Sequence, residues 1–290
     1  MKTLNIIGAG RLGRVIGSLL CQTQLVELLS VLDRSLDSAQ EGVNFIGHGD
    51  AVGSMVAMMS ADITLIAVPD DEIVKTAQAL GDSGVVRPGD VVFHCSGLLS
   101  SDELSAVSSS GGHVASIHPL QTFVGKKLTQ VQFSGTYCVS EGDHKALTVL
   151  EPILSKMGAN VVGLEKDKKV LYHAASVMGC NYMVVLLDMC LGMMERAGIA
   201  REVASKMVQP LLNKTLDNVF SLDTVQALTG PIARGDTQTV ARHLKDIERL
   251  VPEVDDAYRV LGDRAVKLSD VQGNASKDSL GAISNLLKNA

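Results

Sequence analysis

Apolar residues recur along the first half of the chain in short continuous runs, each followed by a stretch with helical spacing. "TLNIIG", "LLSVLD", "ADITLIAVP", "DVVFHCSG", "HVASIHPL", "GTYCVSE" and "ANVVGL" read as strands. Runs without a polar alternate suit strands covered on both faces, so they predict a mostly parallel sheet between layers of helix. The segment from Arg11 to about Cys21 is the first predicted helix. "DDEIVKTAQAL" predicts another, beginning where Pro69 stops a strand; its leading acids lie where the helix dipole favours them. Ser100 and Glu103 have the spacing of a capping box for a further helix, which "SSSGG" ends. After Leu164 no convincing strand follows, and long helical periods are broken by Gly198, Pro210, "LTGPIARGD" and Pro252. The pattern predicts an α/β domain over residues 1–164 and an all-helical domain over residues 165–290. The last residues are expected to lie loosely on the surface.

Composition supports two cores: 46% of the 290 residues are hydrophobic and 20% charged. A net charge of −6, no Trp, four Tyr and five Phe give little to neutralise a phosphate backbone or to stack bases on, so nucleic acid is not an expected partner. Cys21, Cys95, Cys138, Cys180 and Cys190 are odd in number and never spaced as CxxC. They are expected to be buried free thiols of a reducing, cytoplasmic compartment, with no disulfide framework and no metal site. The N-terminus is not expected to be a signal peptide, since Asn5 breaks its apolar stretch, which then runs into Gly8 and Arg11. "AASVMGCNYMVVLL", Ala174–Leu187, is too short to span a bilayer and carries Asn181. It is expected to be a buried helix at a domain or subunit core, with no membrane partner.

Against this pattern, one turn carries chemistry. Gly8-Ala9-Gly10-Arg11-Leu12-Gly13 follows a predicted strand and opens a predicted helix, which turns a weak G-x-G-x-x-G match into the fingerprint of a Rossmann-type dinucleotide site. Gly8 allows the tight turn, Gly10 carries no Cβ to obstruct a pyrophosphate, and Gly13 lets the helix approach the strand. Asp33 closes the second strand where a ribose-binding carboxylate is expected. It suits the ribose hydroxyls of NAD and repels the 2′-phosphate of NADP, whereas Arg34 and Ser35 suit that phosphate. The residues leave NAD and NADP both open. Val68 and Pro69 end a strand at the sheet edge where the nicotinamide ribose would sit, although a proline-stopped strand alone has the same pattern.

Several polar residues stand at places where a substrate would meet that cofactor. His94 reads as a buried, hydrogen-bonded residue and His113 as a solvent-facing strand start. His118, before Pro119 at a strand end, and Ser96-Gly97, at the end of the neighbouring strand, are expected to face the crevice; a hydrogen-bonded turn histidine is the blander reading. Lys169, His173, Val177 and Asn181 recur at helical spacing and so share one face of the first helix of the second domain. Polar groups on an apolar helix must be hydrogen-bonded or serve a ligand. Arg234 in "LTGPIARGDTQTVARHL" can pair with Asp236 or clamp an anionic substrate, and Asp236 or Thr237 can cap the helix that follows.

The motifs "IIGAGRLG", "IAVPDDEI", "HCSG", "IHPLQTF", "YHAASVMGCNYMVVLL" and "LTGPIARGDTQTV" resemble, in the same order across nearly the whole chain, two-domain proteins with a Rossmann-like N-terminal half and a DUF2520 C-terminal half. That group is similar to pyrroline-5-carboxylate reductase, ketopantoate reductase, prephenate dehydrogenase and 6-phosphogluconate dehydrogenase. The resemblance implies a 6-phosphogluconate-dehydrogenase-like helical domain that dimerises. It also implies an NAD(P)-dependent oxidoreductase acting on a small carbonyl, imine or hydroxy-acid substrate. In ketopantoate reductase a lysine and an asparagine eight residues apart bind substrate and assist proton transfer. His173 and Asn181 fill that spacing here, with histidine in the lysine's place. The expected roles are His173 as acid/base, Asn181 and Ser96 as orienting donors, His118 at the crevice wall, and Arg234 and Lys169 toward an anionic substrate. A dinucleotide-binding regulator or scaffold is the rival expectation, and it predicts binding without turnover.

Overall fold

The computed structural model describes residues 1–122 and 133–288. Its contacts divide the chain into two compact units, Met1–Gly179 and Cys180–Ala290.

The first unit is built on one eight-stranded sheet: β1 (Lys2–Ile7), β2 (Val26–Leu32), β3 (Asp50–Val52), β4 (Ile63–Ile66), β5 (Val91–His94), β6 (His113–Pro119), β7 (Tyr137–Gly142) and β8 (Asn160–Gly163). The spatial order is β3-β2-β1-β4-β5-β6-β7-β8. Neighbours are parallel except β6 and β7, which are antiparallel. Each strand expected from the apolar runs is present. The unexpected one, β3, is a three-residue edge strand, too short to leave a pattern.

Alternate strand residues point to opposite faces, which is why continuous apolar runs were needed. Leu4, Ile6, Leu65 and Phe93 join one buried cluster with residues of α1 (Arg11–Gln22), α2 (Leu36–Ile46) and α5 (His144–Lys156). Ile7, Ile66 and Val92 join the other, with residues of α3 (Asp70–Asp82) and α4 (Ser105–Ser109). The capping box expected at Ser100 and Glu103 instead opens a 3₁₀ turn, Ser101–Leu104, in which Ser100 accepts the Asp102 N–H before α4 begins.

The change of pattern at residue 164 and the contact boundary at Gly179 mark different things. Strands end at Gly163, but α6 (Lys169–Ser176) still packs with the sheet because its Lys169 side chain is buried there. A π turn, Val177–Asn181, follows α6.

The second unit contains α7 (Tyr182–Arg196), α8 (Arg201–Leu222), α9 (Thr224–Ala227), α10 (Thr237–Leu250), α11 (Asp255–Gln272) and α12 (Lys277–Lys288). No strand follows Gly163 among the described residues. Its core holds Ile232, Val240 and Leu244 against Leu280, Ile283 and Leu287. The chain's last helix therefore packs into the core through one face, contrary to the loose placement expected for it. The opposite correction applies to α7. Of the two settings expected for this stretch, a domain core and a subunit core, the first does not hold: no residue of α7 is buried, and Val184 is 68% exposed. Nor is the apolar stretch short: the helical run Lys166–Arg196 is long and apolar enough to cross a membrane by length and composition, with none of its most apolar window buried inside the chain. All five cysteines are free, but only Cys95 and Cys138 are buried and Cys180 is exposed.

Candidate functional site

The glycine turn is built as its spacing requires. Gly8 has φ +102°, and a Cβ there would lie 2.5 Å from the Ala67 carbonyl oxygen. A Cβ at Gly13 would lie 2.0 Å from the Gly8 oxygen, so α1 can approach β1 and β4 only without a side chain. Gly10 differs: a Cβ there would meet nothing within 4 Å. Its backbone, φ −67° and ψ −174°, suits any residue, so the fold does not explain this glycine. Gly10 caps α1 without a side-chain hydrogen bond. First-turn amides such as those of Leu12 and Gly13 have no intrahelical acceptor, which makes this end of the helix suited to an anion.

A cavity of about 700 Å³ opens beside this turn, lined by Gly8, Gly10, Asp33, Arg34, Val68 and Pro69, with Ser54, Glu72 and Lys75 also in its wall. The structure thus brings most of the expected cofactor residues to one place. Ala9 is buried, while Arg11 is exposed and Leu12 half-buried. Asp33 braces the turn: one carboxylate oxygen accepts the Ala9 N–H at 2.9 Å and the other accepts the Arg34 N–H at 2.6 Å. Ser35, expected to help hold a phosphate, is the N-cap of α2 and accepts the Ser38 N–H.

Next to this cavity, Pro69 leads directly into a polar cluster at the carboxyl ends of β4, β5 and β6, in which Ser96, Ser116 and Lys169 are buried and Asp70 is exposed. Asp70, the first residue of α3, accepts the Ser96 hydroxyl at 2.7 Å. The same Ser96 oxygen accepts the N–H groups of Leu98 and Leu99, so this side chain holds the turn after β5. Ser96 is 5% exposed and fully engaged. Ser96 thus fixes this turn, its hydroxyl proton given to Asp70.

His94 has the buried role expected of it. Its Nδ1 accepts the Ser96 N–H, which fixes the tautomer, and its Nε2–H donates to the Ser100 carbonyl. Burial, chiefly, holds its pKa down to about 4. His113, half-buried at the start of β6, stands 3.8 Å from Asp143.

His118 does not stand alone at its strand end. Its Nδ1 lies 2.8 Å from the Tyr172 hydroxyl, and its ring centre 6.1 Å from that of His173. Gly97 lies against both histidines: a Cβ there would come within 2.6 Å of His173 Cδ2 and 2.9 Å of His118 Nε2. Burial first, then the charges of Lys169 and His173, lower the His118 pKa to about 4, with Asp70 opposing. Burial raises the Tyr172 pKa, the Cys138 thiol adding to it. At neutral pH the imidazole is uncharged and the phenol keeps its proton.

Lys169 was expected to face an anionic substrate, but it is 1% exposed. Its ammonium donates to Ser116 Oγ at 2.6 Å and to the Ser96 carbonyl at 3.1 Å, and lies 3.8 Å from Glu141 Oε1. Glu141 in turn accepts the Ser101 N–H and hydroxyl.

In the second unit, Asn181 is exposed and ends the π turn, so the regular helical period used to draw its face does not run through that segment. Arg234 is exposed. Asp236 caps α10, accepting the Thr239 N–H and hydroxyl. Phe123, the last residue of "IHPLQTF", lies outside the described residues.

Sequence reasoning missed Tyr172, Asp70 and Glu141, whereas Gly97 lies at the crevice side expected of it, against His118 and His173. Tyr172 was visible only as the neighbour of His173, and Asp70 as one of three acids that favour a helix start. Glu141 gave no signal, because nothing in a β-strand's pattern tells which strand end it will join.

Residues 2–119 match the model of the Rossmann-like domain, and residues 136–265 match that of DUF2520, a domain of unknown function. The chain carries both domains in that order. No curated protein matches it. A candidate NADP oxidoreductase from Bacteroides fragilis shares the fold at a TM-score of 0.72 and 19% identity, over 93% of this chain and 98% of that one. A protein from Thermotoga maritima does so at a TM-score of 0.64 and 24% identity, over 97% and 98%. An imine reductase from Myxococcus stipitatus, solved with NADP+, does so at a TM-score of 0.60 and 16% identity, over 99% and 93%. At these identities the likeness is one of fold.

Proposed function

We propose that this chain is an NADP-dependent oxidoreductase that transfers a hydride between the nicotinamide and a small carbonyl, imine or hydroxy-acid substrate. The observation that carries this reading is Gly10, a glycine that the fold does not require, at the mouth of a cavity of about 700 Å³ beside the start of α1. A pyrophosphate is the group whose approach explains it. NADP is preferred to NAD for two reasons. Asp33 is engaged through both carboxylate oxygens in holding the turn, and Arg34 brings a cation to the cavity wall, as does Lys75 beside its partner Glu72. The imine reductase solved with NADP+ and the candidate NADP oxidoreductase from Bacteroides fragilis support the same cofactor.

When bound, the dinucleotide supplies or accepts the hydride. This chain's residues must then handle the accompanying proton at the oxygen or nitrogen that gains charge. His118, Tyr172 and His173 are the groups suited to that task. The Tyr172–His118 hydrogen bond joins a phenol that holds its proton to an imidazole with room for one. His173, adjacent in α6, is the proposed acid/base.

We further propose a homodimer through α7 and α8. Tyr182, Val184, Val185 and Leu186 on α7, and Met207, Leu211 and Phe220 on α8, are all about half exposed or more. Apolar surface exposed on this scale needs a cover. A second copy is favoured over a bilayer because Asp188 and Glu195 of α7 both pair with Arg201 on the same surface. The five free thiols suit a reducing, cytoplasmic setting.

The test is calorimetry with NADPH and NADH, then turnover of a panel of imines, ketones and hydroxy acids. His173→Asn is expected to cut turnover sharply and leave cofactor affinity intact. No heat with either nucleotide would refute the reading, and binding with no turnover of any class would favour a regulator.

A further inference from the structure

The buried ammonium of Lys169 has no part in the role first expected of it, and its surroundings suggest another. We infer that Lys169 is a positioning residue: it ties the turn after β5 and the end of β6 to α6, and so fixes His118 against Tyr172 and His173. This rests on reading those three residues as the proton-handling centre.

The geometry supports the tie from both sides. From α6, Lys169 reaches the Ser96 carbonyl, one residue before the Gly97 that packs on both histidines. It also reaches Ser116 Oγ, two residues before His118 on β6. His173 follows Lys169 by one helical turn and Tyr172 by slightly less. One ammonium therefore sets the spacing between the element carrying His118 and the helix carrying its partners. A fully buried lysine with hydrogen-bond partners on two neighbouring segments is costly to place, and a purely apolar side chain could pack there at less expense.

The same charge acts on His118 through space. The charged or titratable groups around the pair are Asp70 from α3, His94 and Cys95 from β5 and its following turn, Glu141 from β7, and Tyr172 and His173 from α6. Burial lowers the Lys169 pKa, while Glu141, Cys95 and Asp70 oppose it. Lys169 disfavours a second positive charge on His118, whereas Asp70 favours one. Burial is the larger cause, and Lys169 adds to it in favouring the uncharged His118 that can share a proton with Tyr172.

The experiment is an NMR titration of labelled histidine side chains, with His118→Gln assigning the signal. In the wild-type protein His118 is expected to stay uncharged through the mildly acid range. Lys169→Gln keeps a hydrogen-bond donor but removes the charge, and is expected to raise the His118 midpoint by about one pH unit, a tenfold change. Lys169→Arg, which keeps the charge, is expected to leave the midpoint near that of wild type. If Lys169→Gln strands Glu141 and does not fold, the Lys169→Gln/Glu141→Gln double variant leaves neither charge unpaired and is expected to show a rise in the same direction but smaller, since loss of the Glu141 carboxylate works against it. An unmoved midpoint in a folded, charge-removed variant would overturn the inference. NADPH calorimetry on the wild type keeps the two readings apart, because failure to bind would sink the proposed activity while the histidine titration remains readable.

Discussion

Substituting Gly10 by alanine separates a glycine kept for folding from one kept for a ligand. The backbone at Gly10 is already in the extended region open to alanine, and the added Cβ would meet nothing within 4 Å. Reduced freedom of the unfolded chain favours the variant by about 0.4–1 kcal/mol. Alanine is a poorer N-cap than glycine by a comparable amount, so the two terms nearly cancel. Thermal stability should therefore hardly change. Binding should change, because Gly10 lines the cavity that a pyrophosphate must enter and an added methyl group there takes up room beside it. An added methyl in a close-packed contact costs about 1–3 kcal/mol, which corresponds to roughly 5- to 150-fold weaker NADPH binding. Gly13→Ala is the control with the opposite signature. Its Cβ would sit 2.0 Å from the Gly8 oxygen, so α1 or the turn must shift. Here the loss should fall on stability, by about 1–3 kcal/mol less the roughly 1 kcal/mol that alanine gains over glycine within a helix. The assays are calorimetry with NADPH and urea unfolding followed by circular dichroism; intrinsic fluorescence is a poor probe in a chain without tryptophan. A folded Gly10→Ala protein that binds NADPH as tightly as wild type would refute the assignment of the turn.

Other outcomes follow from the same geometry. Arg34→Ala should weaken NADPH by roughly tenfold or more and leave NADH little changed, since a charge-assisted contact to phosphate is worth about 1.5–3 kcal/mol; equal losses for both would remove Arg34 from the 2′-phosphate. His94 has a folded pKa of about 4 against an ordinary 6.5, so the unfolded chain binds the proton more readily. Its contribution, about 3 kcal/mol, is complete above about pH 6.5 and is lost as pH falls toward 4. Unfolding measured between those limits should steepen accordingly, and a His94→Gln profile as steep as wild type would contradict the assignment. Light scattering should give a mass near twice that of the chain, and Val184→Asp on the exposed face of α7 should lower it; a wild-type monomer would end the dimer proposal.

The sequence alone determined the order and type of most elements, because buried parallel strands and the glycine turn are local patterns. Continuous apolar runs mark strands covered on both faces, and Gly8, Gly10 and Gly13 mark a strand–turn–helix whose sterics involve close neighbours. It did not reveal β3, which is too short to carry a period, nor that Leu280, Ile283 and Leu287 anchor the last helix. The polar cluster was decided by tertiary structure. Helical spacing put Lys169 and His173 on one face, and correctly so, but it could not say that the face meets a sheet end and seals Lys169 away. Ser96, Ser116, Glu141 and Lys169 come from separate elements, and their hydrogen bonds exist only once those elements are adjacent. Partnering of a buried charge depends on distances in three dimensions, and a linear pattern carries no information about which strand end a helix will reach.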